Sequence, residues 1–147
     1  MGQRLLGARP KKRLIEAAVY WAREHLDDFT DYTDAIEKYR ALNMPPELIA
    51  EYEAMQAEEN ADFDVDPDEV ETVAMFQRLS NHWRIDIGMS GGLYLGCDIG
   101  LAIKLLEHRR EKNIDAVVDE LLLMEAAAKA KLNEILQRRR DEQRQRV

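Results

Sequence analysis

Apolar residues spaced three and four apart are the feature that most constrains how this chain of 147 residues can fold. This spacing recurs along nearly the whole length and is typical of helices that bury one face. Its longest run predicts an amphipathic helix near the C-terminus, carried by Ile114, Val117, Val118, Leu121, Met124, Ala128, Leu132 and Ile135. No strand pattern of convincing length interrupts it. The sequence therefore predicts an all-α fold, a single compact domain of about five to six helices.

Turn-forming residues divide the first part of the chain into three helices. We expect one over residues 11–25 and a short second one that ends near Asn43. The third starts at Pro45-Pro46, because proline suits the first turn of a helix and not its interior.

Two further helices are predicted on either side of a glycine-rich segment. Asp66 before Pro67 is a good helix start, which predicts a helix over residues 67–84. Residues 93–106 are apolar nearly all round, so we expect them to form the central, most buried helix of the domain.

Charge is unevenly distributed around a net value of −8. Residues 47–71 hold eleven acids and no base, which predicts an acidic loop near residues 58–66. The C-terminal end, residues 137–147, is basic and has nothing apolar to pack before Val147, so we expect a frayed tail after a helical domain over residues 1–136. The overall acidity argues against binding of nucleic acid, and the tail has no interleaved aromatic residues that could stack on bases.

The cysteine content and hydropathy predict a soluble protein of a reducing compartment. Cys97 is the one cysteine, which excludes an internal disulfide framework. The apolar segment at residues 93–106 is too short for a membrane span and carries Asp98 and Lys104. No membrane association is expected.

Five of the seven glycines fall within thirteen positions: Gly88, Gly91, Gly92, Gly96 and Gly100. A phosphate-binding loop would need a preceding strand and a Gly-Lys-Ser/Thr sequence, and neither is evident. The structural interpretation is favoured instead. Gly88, Gly91 and Gly92 would allow a tight reversal between two helices, while Gly96 and Gly100 would form a packing groove on one helix face.

Potential metal ligands and nucleophiles are few. His82, Cys97, Asp98 and His108 match no familiar zinc spacing. Catalysis by Cys97 would need an activating histidine in a cleft, and nothing local supplies one. The sequence therefore predicts no catalytic residue, no cofactor and no metal, and a protein that is not an enzyme.

One combination of motifs resembles a known family. The stretch DVDPDEVETVAMFQRLSNHWRIDIGMSGGLYLG, followed by ELLLMEAAA, is similar to a family of small phage proteins encoded among tail-assembly genes. The similarity covers about residues 42–128. The matching positions are Val65, Pro67, Phe76, Leu79, Trp83, Arg84, Gly88, Gly91, Gly92, Leu93, Tyr94, Leu122, Met124 and Glu125.

The resemblance implies a function. Such proteins are similar to the tail assembly chaperones of long-tailed phages, which bind the tape-measure protein and the tail-tube protein during virion morphogenesis. It implies a host-cytoplasmic protein that is not expected in the mature virion, and a homo-oligomer is compatible with it. The alternative is a helical structural or adaptor protein that is retained in the phage particle.

We expect partners to bind at the corner around the glycine turn, which brings apolar residues and an arginine together. The predicted partner-binding residues are Trp83, Arg84, Ile85, Ile87, Met89, Leu93 and Tyr94. Trp next to Arg is typical of interface hot spots. For Trp83 the alternative, an anchor of the hydrophobic core, fits the sequence equally well.

Overall fold

The computed structural model describes residues 11–60, 65–88 and 91–146, which form six helices and one two-stranded antiparallel sheet. The first helices are α1 (Lys12–His25), α2 (Thr33–Ala41) and α3 (Pro46–Glu59). The elements that follow are α4 (Val70–Arg78), β1 (Trp83–Gly88), β2 (Gly91–Cys97), α5 (Ile99–His108) and α6 (Ile114–Gln145). The protein is mostly helical, as predicted, but the prediction of a purely helical fold is wrong.

The hydrophobic core is built on α6 and α1. The predicted apolar stripe of α6 is buried, with Val117, Leu121, Met124, Ala128, Leu132 and Ile135 facing inward. α1 packs against α6 and buries Leu14, Ala17, Ala18 and Ala22. The three alanines are small, which allows the two helices to approach closely. Full burial of Leu121 and Leu132 is worth about 1.5–3 kcal/mol for each side chain.

The segment over residues 93–106, predicted as the most buried helix, is only partly helical. Its first residues belong to β2, and the helical part, α5, buries Ala102 and Leu106. Short apolar runs of this kind fit a strand and a buried helix equally well by periodicity. The central element of the core is therefore α6 and not this segment.

The predicted helix over residues 67–84 is also shorter than expected. It begins at Val70 and ends at Arg78, and Trp83 starts β1. In β1 single polar residues separate Trp83, Ile85 and Ile87, and this alternation suits a pleated strand with a period of two. The period changes from 3.6 to 2 within the segment that was predicted as one helix.

The glycines serve a β-hairpin and not a reversal between helices. Gly88 pairs with Gly91, and Gly91 has a φ of +108°, which favours glycine. Gly96 lies in β2, so the predicted groove of Gly96 and Gly100 on one helix does not exist. The register of the two strands shifts between Arg84 and Ile85, which makes a β-bulge.

Helices α2 and α3 pack against each other as a helical hairpin. The rings of Tyr39 and Tyr52 lie 5.0 Å apart, and Arg40 is 3.2 Å from Glu53. No residue of α3 is fully buried. An ion pair of 2.6 Å between Arg23 and Glu59 joins the end of α3 to α1. Of the predicted acidic loop near residues 58–66, Glu59 is still helical, and residues 61–64 lie outside the described residues.

The C-terminal basic segment, expected to fray from residue 137, continues as helix to Gln145. Three consecutive arginines in it reach other parts of the molecule. Arg138 forms an ion pair with Asp28, and Arg139 donates to the carbonyl oxygen of Leu26. Arg140 donates to the carbonyl oxygen of Gly92 at 3.1 Å. One ion pair and two hydrogen bonds to backbone carbonyl groups therefore hold this segment, which has little apolar packing.

Candidate interaction surface on the hairpin

The outer edge of β2 is held by polar side chains of α6. Asn133 accepts a hydrogen bond from the Tyr94 amide at 2.8 Å and donates one to the Tyr94 carbonyl at 3.0 Å. Glu125 accepts from the Cys97 amide at 2.9 Å, and Arg140 donates to Gly92. These α6 residues are eight and then seven positions apart, about two turns each, so they lie along one side of the helix. They satisfy the backbone groups that a third strand would otherwise pair.

Beneath the hairpin lies a cluster of aromatic rings that fixes its base. Trp83 stacks on Trp21 with centroids 5.4 Å apart, and it meets Phe76 and Tyr94 edge-on at 6.3 and 6.0 Å. Tyr94 is only 7% exposed and Phe76 is fully buried. Offset and edge-on ring pairs of this kind are stabilising beyond their buried area. Trp83 thus serves the core, which was the alternative that the sequence left open.

The remaining apolar side chains of the hairpin are exposed. Ile85 is 44% exposed, Ile87 83%, Leu93 44% and Leu95 48%. Among the described residues only three other large apolar side chains are exposed to this degree, Leu42, Val70 and Leu122, and they lie on separate helices or turns. Apolar surface concentrated on one small element marks a candidate interaction site.

The structure separates the seven predicted partner-binding residues into three groups. Trp83 and Tyr94 pack inward, while Ile85, Ile87 and Leu93 are exposed on the hairpin. Arg84 is exposed too and forms no ion pair within the described part of the chain. The remaining residue, Met89, lies outside the described residues.

Leu95 belongs to the exposed set and was missed by sequence reasoning. The alternation of Leu93 and Leu95 with Tyr94 is the signal that could have found it, because successive residues of a strand point to opposite faces. The assignment of residues 93–106 to a helix hid this alternation.

A cleft of about 590 Å³ beside the base of the hairpin brings together three of the residues considered as metal ligands or nucleophiles. His82, Cys97 and Asp98 line it together with Glu125, whereas His108 does not. Asp98 caps α5 by accepting a hydrogen bond from the Leu101 amide at 2.9 Å. Asp98 thus caps a helix and Glu125 binds the backbone of β2, so both carboxylates already have structural roles.

The Cys97 thiol is poorly suited to nucleophilic attack. Burial, followed by the charge of Glu125 and the hydrogen bond to it, raises the pKa of Cys97 to about 12. The Sγ atom lies 3.5 Å from Glu125 Oε2. Because the thiolate is the reactive form, a thiol with this pKa is inert near neutral pH.

One group of carboxylates gathers at the start of α4. The carboxylate oxygens of Asp66, Asp68 and Glu69 come within 4.8 Å of one another, and Arg13 forms an ion pair with Asp66. Burial, and then the hydrogen bond to Asp66, raises the pKa of the Glu69 carboxyl. Asp66 and Asp68 are exposed. Acidic groups are common at helix starts, because the helix dipole stabilises negative charge there.

Comparisons with protein-family models, with curated proteins and with solved structures find no match to this chain. In the parts of the chain that the structure describes, no helix is both long enough and apolar enough to cross a membrane.

Proposed function

We propose that this protein is a non-enzymatic phage tail assembly chaperone that binds the tape-measure protein, the tail-tube protein or both during virion morphogenesis. The proposal joins the resemblance of residues 42–128 to the exposed apolar surface of the hairpin. That surface is the observation that carries it, because a chaperone must offer apolar contacts while its own fold stays intact.

The construction of the hairpin supports this use. Its base is fixed by the ring cluster around Trp83, and the outer edge of β2 is held by Asn133 and Glu125. A rigid element loses little conformational entropy when a partner binds to its exposed side chains. Leu93 and Leu95 lie on the face that points away from the core, so we propose them as the centre of partner capture, with Arg84 beside them.

The charged segments support protein binding over nucleic-acid binding. The arginines at residues 138–140 contact Asp28, Leu26 and Gly92 within the molecule and are not free to bind phosphates. The raised pKa of Cys97 supports a non-enzymatic role for the neighbouring cleft.

Co-purification from cells that express the tail genes tests the proposal. Leu93→Glu combined with Leu95→Glu should reduce recovery of tape-measure and tail-tube protein roughly tenfold or more, as expected for a hot spot. The melting temperature should stay unchanged, because both side chains are about half exposed. Leu122→Glu is the matched control, since Leu122 is 45% exposed but lies on α6.

If the double variant melts normally and still recovers both tail proteins like the control, the hairpin face is not the capture site. The alternative function, a structural or adaptor protein retained in the particle, is separated by mass spectrometry of purified virions. A chaperone is missing from them, and a structural subunit is present at fixed copy number.

A further inference from the structure

The outer edge of β1 has backbone groups that no described residue pairs. The sheet has two strands, so β1 is hydrogen-bonded on the β2 side only. Across the hairpin Ile85 lies opposite Tyr94, and Ile87 lies opposite Gly92. Asn133 and Arg140 bind the backbone of Tyr94 and Gly92 from outside the sheet, so these backbone groups of β2 point away from β1. The pairs Ile85–Tyr94 and Ile87–Gly92 are therefore the non-hydrogen-bonded pairs of the antiparallel ladder. The amide and carbonyl groups of Ile85 and Ile87 must therefore point outward from the free edge of β1.

The same reasoning extends to the first residue of the strand. Trp83 lies opposite Cys97, whose amide also points outward, to Glu125. The outward backbone groups of β1 thus fall on Trp83, Ile85 and Ile87. Three alternate residues of this edge thus have unpaired amide and carbonyl groups that point outward, and another strand can pair with them.

The side chains of β1 show which strand fits this edge. Arg84 and Asp86 flank Ile85, both are exposed, and neither forms an ion pair within the described ranges 11–60, 65–88 and 91–146. If β1 pairs antiparallel with a second β1 and Ile85 lies opposite its own copy, each Arg84 lies opposite an Asp86. Trp83 then lies opposite Ile87, and every outward backbone group finds a partner.

We propose that two copies of this chain associate through β1 in that register and form a continuous four-stranded antiparallel sheet. Charges on an edge strand usually repel a copy of the same strand and so prevent edge pairing. Here the two charges have opposite signs and are symmetric about Ile85, so the antiparallel register makes them attractive, while a parallel in-register pairing would place like charges together. β1 carries no net charge in a chain with a net charge of −8, so repulsion between copies is small at this edge.

The register brings Ile85 closest to its own copy and keeps Ile87 far from its copy. Ile85 meets its copy at a Cα separation of about 5.5 Å, the value for a hydrogen-bonded antiparallel pair. Ile87 and its copy are displaced by four residues, or about 13 Å along the strands. The dimer leaves Leu93 and Leu95, the centre of the proposed partner capture, exposed, but it occupies Arg84, which lies beside them.

Sedimentation equilibrium of the purified full chain tests the dimer without any tail protein. Arg84→Asp alone and Asp86→Arg alone should each weaken association about tenfold or more, because each converts two attractive cross-strand pairs into repulsive ones. The double variant Arg84→Asp, Asp86→Arg should restore association to nearly the wild-type level. Circular dichroism should show the same helix content for all three variants.

Disulfide trapping tests the register. Ile85→Cys should form a covalent dimer under mild oxidation, since its Cα separation is within the range that a disulfide spans. Ile87→Cys is the control and should stay uncoupled at about 13 Å. Cys97 should not compete, because it is buried and its pKa is raised to about 12.

A wild-type chain that remains monomeric at millimolar concentration would overturn the proposal. The edge of β1 would then be available for pairing with a strand of a different protein. A dimer in which the double charge swap fails to restore association, or in which Ile87→Cys couples as well as Ile85→Cys, would overturn the register.

Discussion

The two edges of the hairpin differ in whether other parts of the molecule form hydrogen bonds with their backbone groups. Along β2 the amide or carbonyl groups of Gly92, Tyr94 and Cys97 are bound by side chains of α6. Along β1 the corresponding groups have no partner within the part of the chain that the structure describes. One edge is closed by polar side chains on a helix, and the other is open beside exposed Ile85 and Ile87.

This difference shows how a largely helical protein can hold a single hairpin. Two strands alone are marginally stable in water. Here α6 supplies along one side the donors and acceptors that a third strand would give, and its adjacent stripe of apolar residues supplies the core. The hairpin is then stable enough to present an open edge and apolar side chains to other molecules.

Removing the Asn133 side chain, which binds the outer edge of β2, should give the largest loss of stability. Asn133→Ala leaves the Tyr94 amide and carbonyl without partners at a partly buried position, and each such loss costs about 1–3 kcal/mol. We expect a loss of about 3 kcal/mol in the free energy of unfolding, measured by urea denaturation.

Asn133→Asp is the control that separates the two hydrogen bonds. A carboxylate still accepts from the Tyr94 amide but cannot donate to its carbonyl, so this variant should lie between wild type and Asn133→Ala. If Asn133→Ala is as stable as wild type, α6 does not close this edge.

The sequence predicted the helical part of the fold better than the hairpin for a physical reason. The stripes of α1 and α6 are long, and a helix predicted over residues 11–25 is observed as Lys12–His25. β1 offers only three alternating apolar residues, and Trp83 also fits the helical spacing that begins at Val70. Periodicity over so short a stretch does not decide between the two.

The sequence predicted part of the arrangement of the candidate site. Ile85, Ile87 and Leu93 of the glycine-rich corner are exposed. The inward direction of Tyr94 depends on the strand assignment. The contacts of Asn133 depend on tertiary packing 39 residues away, and no local pattern reports such contacts.

Adding one methyl group at Gly96 should disturb the contact between α6 and the outer edge of β2 and cause a smaller loss of stability. A Cβ at this position would lie 2.9 Å from Glu125 Oε2, and the φ of +156° disfavours other residues. Gly96→Ala should therefore displace Glu125 from the Cys97 amide and cost about 2 kcal/mol, measured by thermal or urea unfolding.

Gly88→Ala provides the comparison within the same hairpin. No atom lies within 4 Å of a Cβ built there, so its effect should stay below about 0.5 kcal/mol. Equal losses at the two glycines would show that the contact with Glu125 is not what requires Gly96.

A smaller effect on stability than that of Asn133→Ala or Gly96→Ala, and the most specific report on the β2 edge, should come from Glu125→Gln. The amide oxygen of glutamine can still accept from the Cys97 amide, so we expect a change below about 1 kcal/mol in the free energy of unfolding.

The reactivity of the Cys97 thiol should respond more strongly to Glu125→Gln, because the charge of Glu125 contributes to the pKa of about 12 at Cys97. In wild type the folded state keeps the thiol protonated from its ordinary pKa of 9.0 up to about 12, so this group's contribution to stability is complete below pH 9 and falls as the pH rises towards 12. Alkylation of Cys97 at pH 8 should be roughly a hundredfold or more slower than that of a free thiol, and Glu125→Gln should accelerate it while the melting temperature hardly changes. If the variant alkylates no faster than wild type over pH 8–10, burial alone protects Cys97, and the carboxylate of Glu125 acts only on the backbone of β2.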